Sequence, residues 1–244
     1  VSLPVFSVER LPEVGPTTLD GPEGKHAATV RRLRVGEELL LSDAQGGMAR
    51  CSVEAAERDS LRLTVSETWH EPRPALRVRV VQALVKGDRG ELAVELATES
   101  GVDGVVPWRA SRCVAKWDDG PRGAKALARW RTTAASAAKQ ARRAWTPEIT
   151  EPVSTKQLAE LVAEVDTALV LHESATGQLT DVDLPESGEV LLVVGPEGGI
   201  TDEELAALTR AGAQVTRLGR TVLRASTAAA VALGALGALT TRWS

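Results

Sequence analysis

Val190-Leu191-Leu192-Val193-Val194-Gly195-Pro196-Glu197-Gly198-Gly199-Ile200-Thr201-Asp202-Glu203-Glu204-Leu205 is the stretch that decides how this chain is read. The apolar run Val190 to Val194 suits a buried strand or a fragment of buried helix. The Gly-Pro-Glu-Gly-Gly segment that follows forbids helix and favours a tight, exposed backbone turn. Thr201 and Glu204 then stand in the T-x-x-E arrangement that caps a helix start. Strand, glycine turn and capped helix is the layout in which α/β proteins bind ligands, at the carboxyl end of a parallel strand. The turn is not G-x-G-x-x-G and no Lys-Ser/Thr follows it, which argues against a dinucleotide fold and a phosphate-cradling P-loop.

Two more segments have the same setting. Leu171-His172-Glu173-Ser174 follows a short apolar strand candidate, 168–171, and 218–227 (Leu218-Gly219-Arg220-Thr221-Val222-Leu223-Arg224-Ala225-Ser226-Thr227) precedes an Ala-rich helix candidate, 226–241. From residue 75 onward strand-like and helix-like stretches alternate: 76–84 strand, 87–100 helix, 102–107 strand, 122–143 helix, 190–194 strand, 201–211 helix and 214–218 strand. Such alternation predicts a parallel sheet covered by helices on both faces. All three loops then lie on one sheet edge, where backbone donors and apolar walls suit a neutral heterocycle such as an adenine better than a triphosphate.

Residues 1–70 read differently. Short strand candidates at 5–8, 37–42, 49–55 and 61–66 are separated by turn signals at 43–47 and 58–60, the pattern of a small β-barrel. His70-Glu71-Pro72-Arg73-Pro74 is a stiff linker candidate leading to a second domain, 75–244. The 244-residue chain is 43% apolar and 25% charged with a net charge of −4, so any nucleic-acid site must be a local patch. Two distant cysteines, Cys51 and Cys113, indicate no disulfide framework, and the scattered His26, His70 and His172 give no metal constellation. The 12-residue apolar run 228–239 is shorter than the roughly 20 residues a bilayer span needs. No basic-plus-apolar leader is visible, and a reducing cytoplasm is the expected compartment. Most of the six Trp read as core or groove filler rather than base-stacking platforms. Between Gly120 and Pro147 stand seven basic residues (Arg122, Lys125, Arg129, Arg131, Lys139, Arg142, Arg143) and no acid, which predicts a local positive field. Arg31, Arg32 and Arg34 form a second cluster.

Gly195 to Gly199, followed by Leu218-Gly219 and Val222-Leu223-Arg224 with Thr227-Ala228, resembles the SPOUT methyltransferases. The likeness is greatest to the RsmE type, which methylates N3 of a uridine in 16S ribosomal RNA. The opening Phe6 to Arg10, the Lys25-His26 to Gly36 block, Lys86 to Arg89 leading to Ala97 to Val102, Ser111 to Val114, and Gln140-x-x-Arg143 with Pro147-Glu148 extend the resemblance over nearly the whole chain. It implies an N-terminal PUA-like β-barrel followed by a C-terminal trefoil-knotted α/β (SPOUT) domain with a parallel sheet. It also implies S-adenosyl-L-methionine as cofactor, 16S ribosomal RNA or the small ribosomal subunit as partner, and a homodimer. Carried over by motif, the cofactor residues are Leu171, His172, Glu173, Gly195, Pro196, Glu197, Gly198, Gly199, Leu218, Gly219, Val222, Leu223 and Ser226. The RNA-binding residues are Arg10, Lys25, His26, Arg31, Arg32, Arg34, Lys86, Arg89, Lys139, Gln140 and Arg143.

Loss of the uridine N3 proton leaves an imide anion, and Arg224 is the candidate guanidinium to stabilise it, the alternative for Arg224 being a helix-start or interface ion pair. Glu197, Glu173 and His172 remain open as the base. This chain departs from the family pattern at Thr221, where Arg is frequent, at Ser226, where Glu is frequent, and at Lys139, which replaces a Glu. The rival readings are a SPOUT enzyme acting on another atom, such as a ribose 2′-hydroxyl, and a non-catalytic RNA-binding assembly factor.

Overall fold

The computed structural model describes residues 3–243, so the outermost ends of the expected 1–70 and 75–244 domains, residues 1, 2 and 244, lie outside it. The chain divides into two units: Val1–Arg73 with Ala138–Thr146, and Pro74–Ala137 with Pro147–Ser244.

The first unit runs β1 (Val5–Ser7), β2 (Gly15–Leu19), α1 (Gly21–Lys25) continuing into a π-helical turn (His26–Val30), β3 (Glu38–Ser42), β4 (Gly47–Ala56) and β5 (Leu61–His70). Its five-stranded sheet has the order β1-β3-β4-β5-β2 and is antiparallel except for the β1–β3 pair. Period-two burial produces the core: Leu61, Leu63 and Val65 point inward while Arg62 is exposed, and they join Phe6, Leu39, Leu41, Cys51 and Val53. The Asp43 turn closes because its Oδ1 accepts from the amides of Gln45 (2.7 Å) and Gly47 (2.9 Å). β2 and α1 were not expected. Gly-Pro pairs at 15–16 and 21–22 hide their pattern, and only Leu19 is buried in β2. Residues 138–146 belong to this unit through Trp145. Its indole donates to the Glu71 carbonyl at 2.8 Å, and the Arg73 guanidinium lies 3.9 Å from the ring centroid.

The second unit runs β6 (Leu76–Ala83), α2 (Arg89–Glu99), β7 (Gly104–Trp108), α3 (Pro121–Gln140, its last residues counted with the first unit), β8 (Glu148–Ile149), α4 (Thr155–Glu164), β9 (Thr167–Leu171), β10 (Gly188–Val194), α5 (Asp202–Arg210), β11 (Gln214–Thr216) and α6 (Ala225–Leu239). Its six strands are parallel, in the order β11-β9-β10-β6-β7-β8. α4 was missed in the sequence although Ser154 and Gln157 form a reciprocal capping box, the Gln157 side chain accepting from the Ser154 amide at 2.9 Å. α2 packs on α6, and α4 on α5. Residues Thr216, Leu171, Val194 and Gln82 fall in one register row across β11, β9, β10 and β6. That row sets the carboxyl ends of four strands level, and the loops that leave them open onto the same edge. The C-terminus is clasped back: Arg242 pairs with Asp103 at 2.8 Å, both side chains 7% exposed, and donates to the carbonyls of Leu76 and Gly101.

Candidate active site

A cleft of about 600 Å³ opens at the carboxyl edge of the parallel sheet. Every residue assigned to the cofactor from sequence lines it: Leu171, His172 and Glu173 after β9, Gly195 to Gly199 after β10, and Leu218, Gly219, Val222, Leu223 and Ser226 between β11 and α6. Arg224 and Arg89 line it too, as do Val85, Arg112, Asp202 and Arg217, which sequence reasoning did not assign to the cleft. Arg112 was visible only as part of a family block, because its position depends on a contact with a turn 86 residues away.

Each loop has its own cause. After β9, the His172 amide donates to the Thr216 carbonyl at 3.0 Å, which holds the loop to β11. The Ser174 amide donates to His172 Nδ1 at 3.3 Å, with Ser174 Oγ 2.8 Å from the same nitrogen, so Nδ1 is turned to Ser174. After β10, Gly199 takes φ +75° and its amide donates to the Pro196 carbonyl at 2.9 Å, closing the turn. A Cβ on Gly195 would come 2.7 Å from Ile200 Cγ1, so only glycine allows this approach. Glu197 Oε1 accepts from the Lys86 amide at 3.2 Å, a backbone-holding task. The capping box foreseen at Thr201 and Glu204 is present. Before α6, Arg224 is the N-cap residue. Its carbonyl accepts from the amides of Thr227 (2.9 Å) and Ala228 (3.0 Å), and its exposed side chain has no ion-pair partner among the described residues. The exposed Thr221 lines the cleft, and Ser226 is buried.

The cleft fits a sulfonium nucleoside. Leu171, Val194, Ile200, Leu223 and Ala228 supply apolar walls, and the turns supply backbone amides and carbonyls. At Gly219 a Cβ would meet no atom within 4 Å, so the absence of a side chain there leaves room inside the cleft. Among the described residues no group of three or more His, Cys, Asp or Glu could hold a metal ion, and no helix is long and apolar enough to cross a membrane.

The residues assigned to RNA separate into two groups. Lys86 and Arg89 are exposed in the second unit. Arg10, Lys25, Arg31, Arg32, Arg34 and Gln140 are exposed in the first, with Arg32 in the left-handed region at φ 55°. His26 is half-buried, its ring edge-on to Phe6 with centroids 5.8 Å apart, and Arg143 is also half-buried. Lys139 is turned inward to Glu23, its Nζ 2.6 Å and 2.8 Å from the two carboxylate oxygens and 5.0 Å from the Phe6 ring centroid. The expected positive field over 122–143 needs correction in the same way. Arg129 pairs with Glu91 and Arg131 with Glu151, each at 2.9 Å, so acids from distant segments neutralise part of the run. Arg122 and Lys125 remain exposed without an acid partner among the described residues.

The chain matches the RNA methyltransferase domain over residues 71–237 and the RNA methyltransferase PUA domain over residues 19–66. It is 54% identical over 244 residues to a ribosomal RNA small subunit methyltransferase E of Mycobacterium bovis, covering 98% of this chain and 93% of the relative. A methyltransferase of Legionella pneumophila, solved in complex with the bound cofactor SAM, superposes with a TM-score of 0.86 at 28% identity, over 98% of this chain and 99% of that one. A ribosomal RNA small subunit methyltransferase E of Neisseria gonorrhoeae, bound to S-adenosyl methionine, gives 0.84 at 27% identity, over 98% of each chain. With the cleft in place and these likenesses extending over nearly its full length, the chain belongs to the RNA methyltransferase family, carrying a PUA domain ahead of its methyltransferase domain.

Proposed function

We propose that this protein transfers a methyl group from S-adenosyl-L-methionine to N3 of a uridine in the 16S ribosomal RNA of the small subunit. The observation that carries the proposal is the convergence of three separate loops on one cleft, in a chain 54% identical to a ribosomal RNA small subunit methyltransferase E. The cofactor supplies an electrophilic methyl on a sulfonium. Leu171, the Gly195–Gly199 turn and Leu218 to Leu223 hold its nucleoside, and catalysis is chiefly positioning.

Arg224, its backbone set by the N-cap geometry of α6 and its side chain without an acid partner among the described residues, stabilises the imide anion left when the N3 proton departs. Glu197 is engaged with the Lys86 amide. Glu173 and His172, which line the same cleft, are the candidates to take the proton. Residues 1–70 form the PUA-like barrel that holds RNA through Arg10, Lys25 and the Arg31–Arg34 segment. Residues 75–244, apart from the 138–146 segment that joins the first unit, form the trefoil-knotted SPOUT domain, two copies associate, and the protein works in the cytoplasm. The match to a PUA domain over 19–66 supports the first of these assignments, and the six parallel strands with ligand loops on one edge support the second.

Small ribosomal subunits lacking the modification, incubated with the protein and methyl-labelled cofactor, test the proposal. Label mapping to one uridine and released as 3-methyluridine is expected. A 2′-O-methyl nucleoside would move the chemistry to the ribose. Cofactor binding with no label transfer to any small-subunit RNA would make the protein a binding module.

A further inference from the structure

Glu204 carries more hydrogen bonds than a helix cap requires. The capping box uses its Oε2, which accepts from the Thr201 amide at 3.1 Å. Its Oε1 accepts three more: from the Ser111 amide (2.8 Å), the Ser111 hydroxyl (3.0 Å) and the Thr155 hydroxyl (2.9 Å). The residue is 4% exposed, and these donors outweigh burial, which acts to raise its pKa, and hold the carboxyl below the ordinary range. The next residue after Ser111 is Arg112, whose Nη1 donates to the Gly198 carbonyl at 3.1 Å. A Cβ on Gly198 would lie 3.0 Å from Arg112 Cβ and 3.2 Å from its carbonyl oxygen, so the 110–113 segment rests directly on the glycine turn.

We propose that Glu204 is a positioning residue of the cleft: through Ser111 it seats Arg112 against Gly198 and thereby fixes the Gly195–Gly199 turn. Resting as it does on the cofactor reading of that cleft, the effect is one on cofactor affinity rather than on methyl transfer. A double-mutant cycle tests it, with the S-adenosylmethionine Kd of the whole protein measured by calorimetry. Glu204→Gln and Arg112→Ala each weaken binding about tenfold, and together also about tenfold, because both remove one linkage. kcat at saturating cofactor stays within about threefold for Glu204→Gln, and Glu204→Asp does not restore Kd, because the shortened carboxylate cannot reach Ser111.

An approximately hundredfold loss in the double variant, or an unchanged Kd in Glu204→Gln, overturns the proposal. Should Glu204→Gln fail to fold, Glu204→Asp, which cannot reach the Ser111 amide and hydroxyl, takes its place in the cycle with the same criterion. Hydrogen exchange at the Gly199 amide, read without cofactor, separates this proposal from the functional one. Faster exchange in both single variants supports the linkage even if the unmodified protein binds no cofactor, and unchanged exchange overturns it even if the cofactor binds.

Discussion

The glycine turn after β10 and the basic run along α3 both stand out in the sequence, but folding treats them in opposite ways. The turn forms as its sequence predicts: Gly195 and Gly199 each meet a local geometric demand, Gly198 makes room for Arg112 from 86 residues away, and all three line the cleft. The basic run does not, because Glu91, Glu151 and Glu23 reach it from far away in the chain and take up Arg129, Arg131 and Lys139. The path of a turn is encoded mostly by its own residues, with a distant segment braced against it, whereas a surface potential belongs to whatever the fold brings alongside.

The cleft side of this contrast breaks most visibly at Arg224. Arg224→Ala is expected to lower turnover about 100-fold or more while cofactor Kd changes less than about threefold. Joint loss of both would return the residue to a helix-start role.

Next in size is an effect of pH on stability. The folded-state pKa of Glu204 is lowered by its hydrogen bonds, so the stability it contributes is complete above the unfolded carboxylate pKa and is lost as pH falls through the folded value. Denaturant titrations of the unmodified protein and Glu204→Gln are expected to differ by about 2 kcal/mol near neutrality and to converge in acid. A constant gap would place the cost elsewhere.

Gly219→Ala is the finer probe of the same cleft. With open space around the added methyl, thermal stability is expected to hold while cofactor affinity falls about tenfold. A loss of stability instead would mean that the loop packs more closely than the cleft geometry shows.

The basic run makes the smaller predictions. Arg122→Ala with Lys125→Ala is expected to reduce the slope of log K against log salt for RNA binding by roughly 1 to 2, at about 0.7–0.9 per phosphate contact. Arg129→Ala with Arg131→Ala is expected to change it less, since those cations are already paired. Equal effects would erase the distinction. Lys139→Ala is expected to cost about 1 kcal/mol of stability through its half-buried Glu23 partner, with little effect on RNA affinity.

How much of the molecule was legible follows the same division. The alternation from residue 75, the three strand-end loops and the Thr201 cap depend on neighbours in sequence, and the parallel order β11-β9-β10-β6-β7-β8 places them together. β2 and α1 were not legible, because glycine and proline interrupt them. α4 was legible but missed: Ser154 and Gln157 mark its cap, and Leu158, Leu161 and Val162 stand at helical spacing. The reach of residues 138–146 into the first unit was hidden too. Helical periodicity continues to Gln140, while the contacts that reassign the segment come from Trp145 on Glu71 and Arg73. Arg112 and Glu204 were missed as a pair for the same reason: Ser111 and Glu204 meet across 93 residues.

The most direct test of the three-loop cleft is a titration of the isotopically labelled protein with S-adenosyl-L-methionine, followed by amide chemical shifts. Saturable binding is expected, with the largest changes at 171–173, 195–199 and 218–224. Binding that leaves those amides unmoved, or no binding at all, would contradict it.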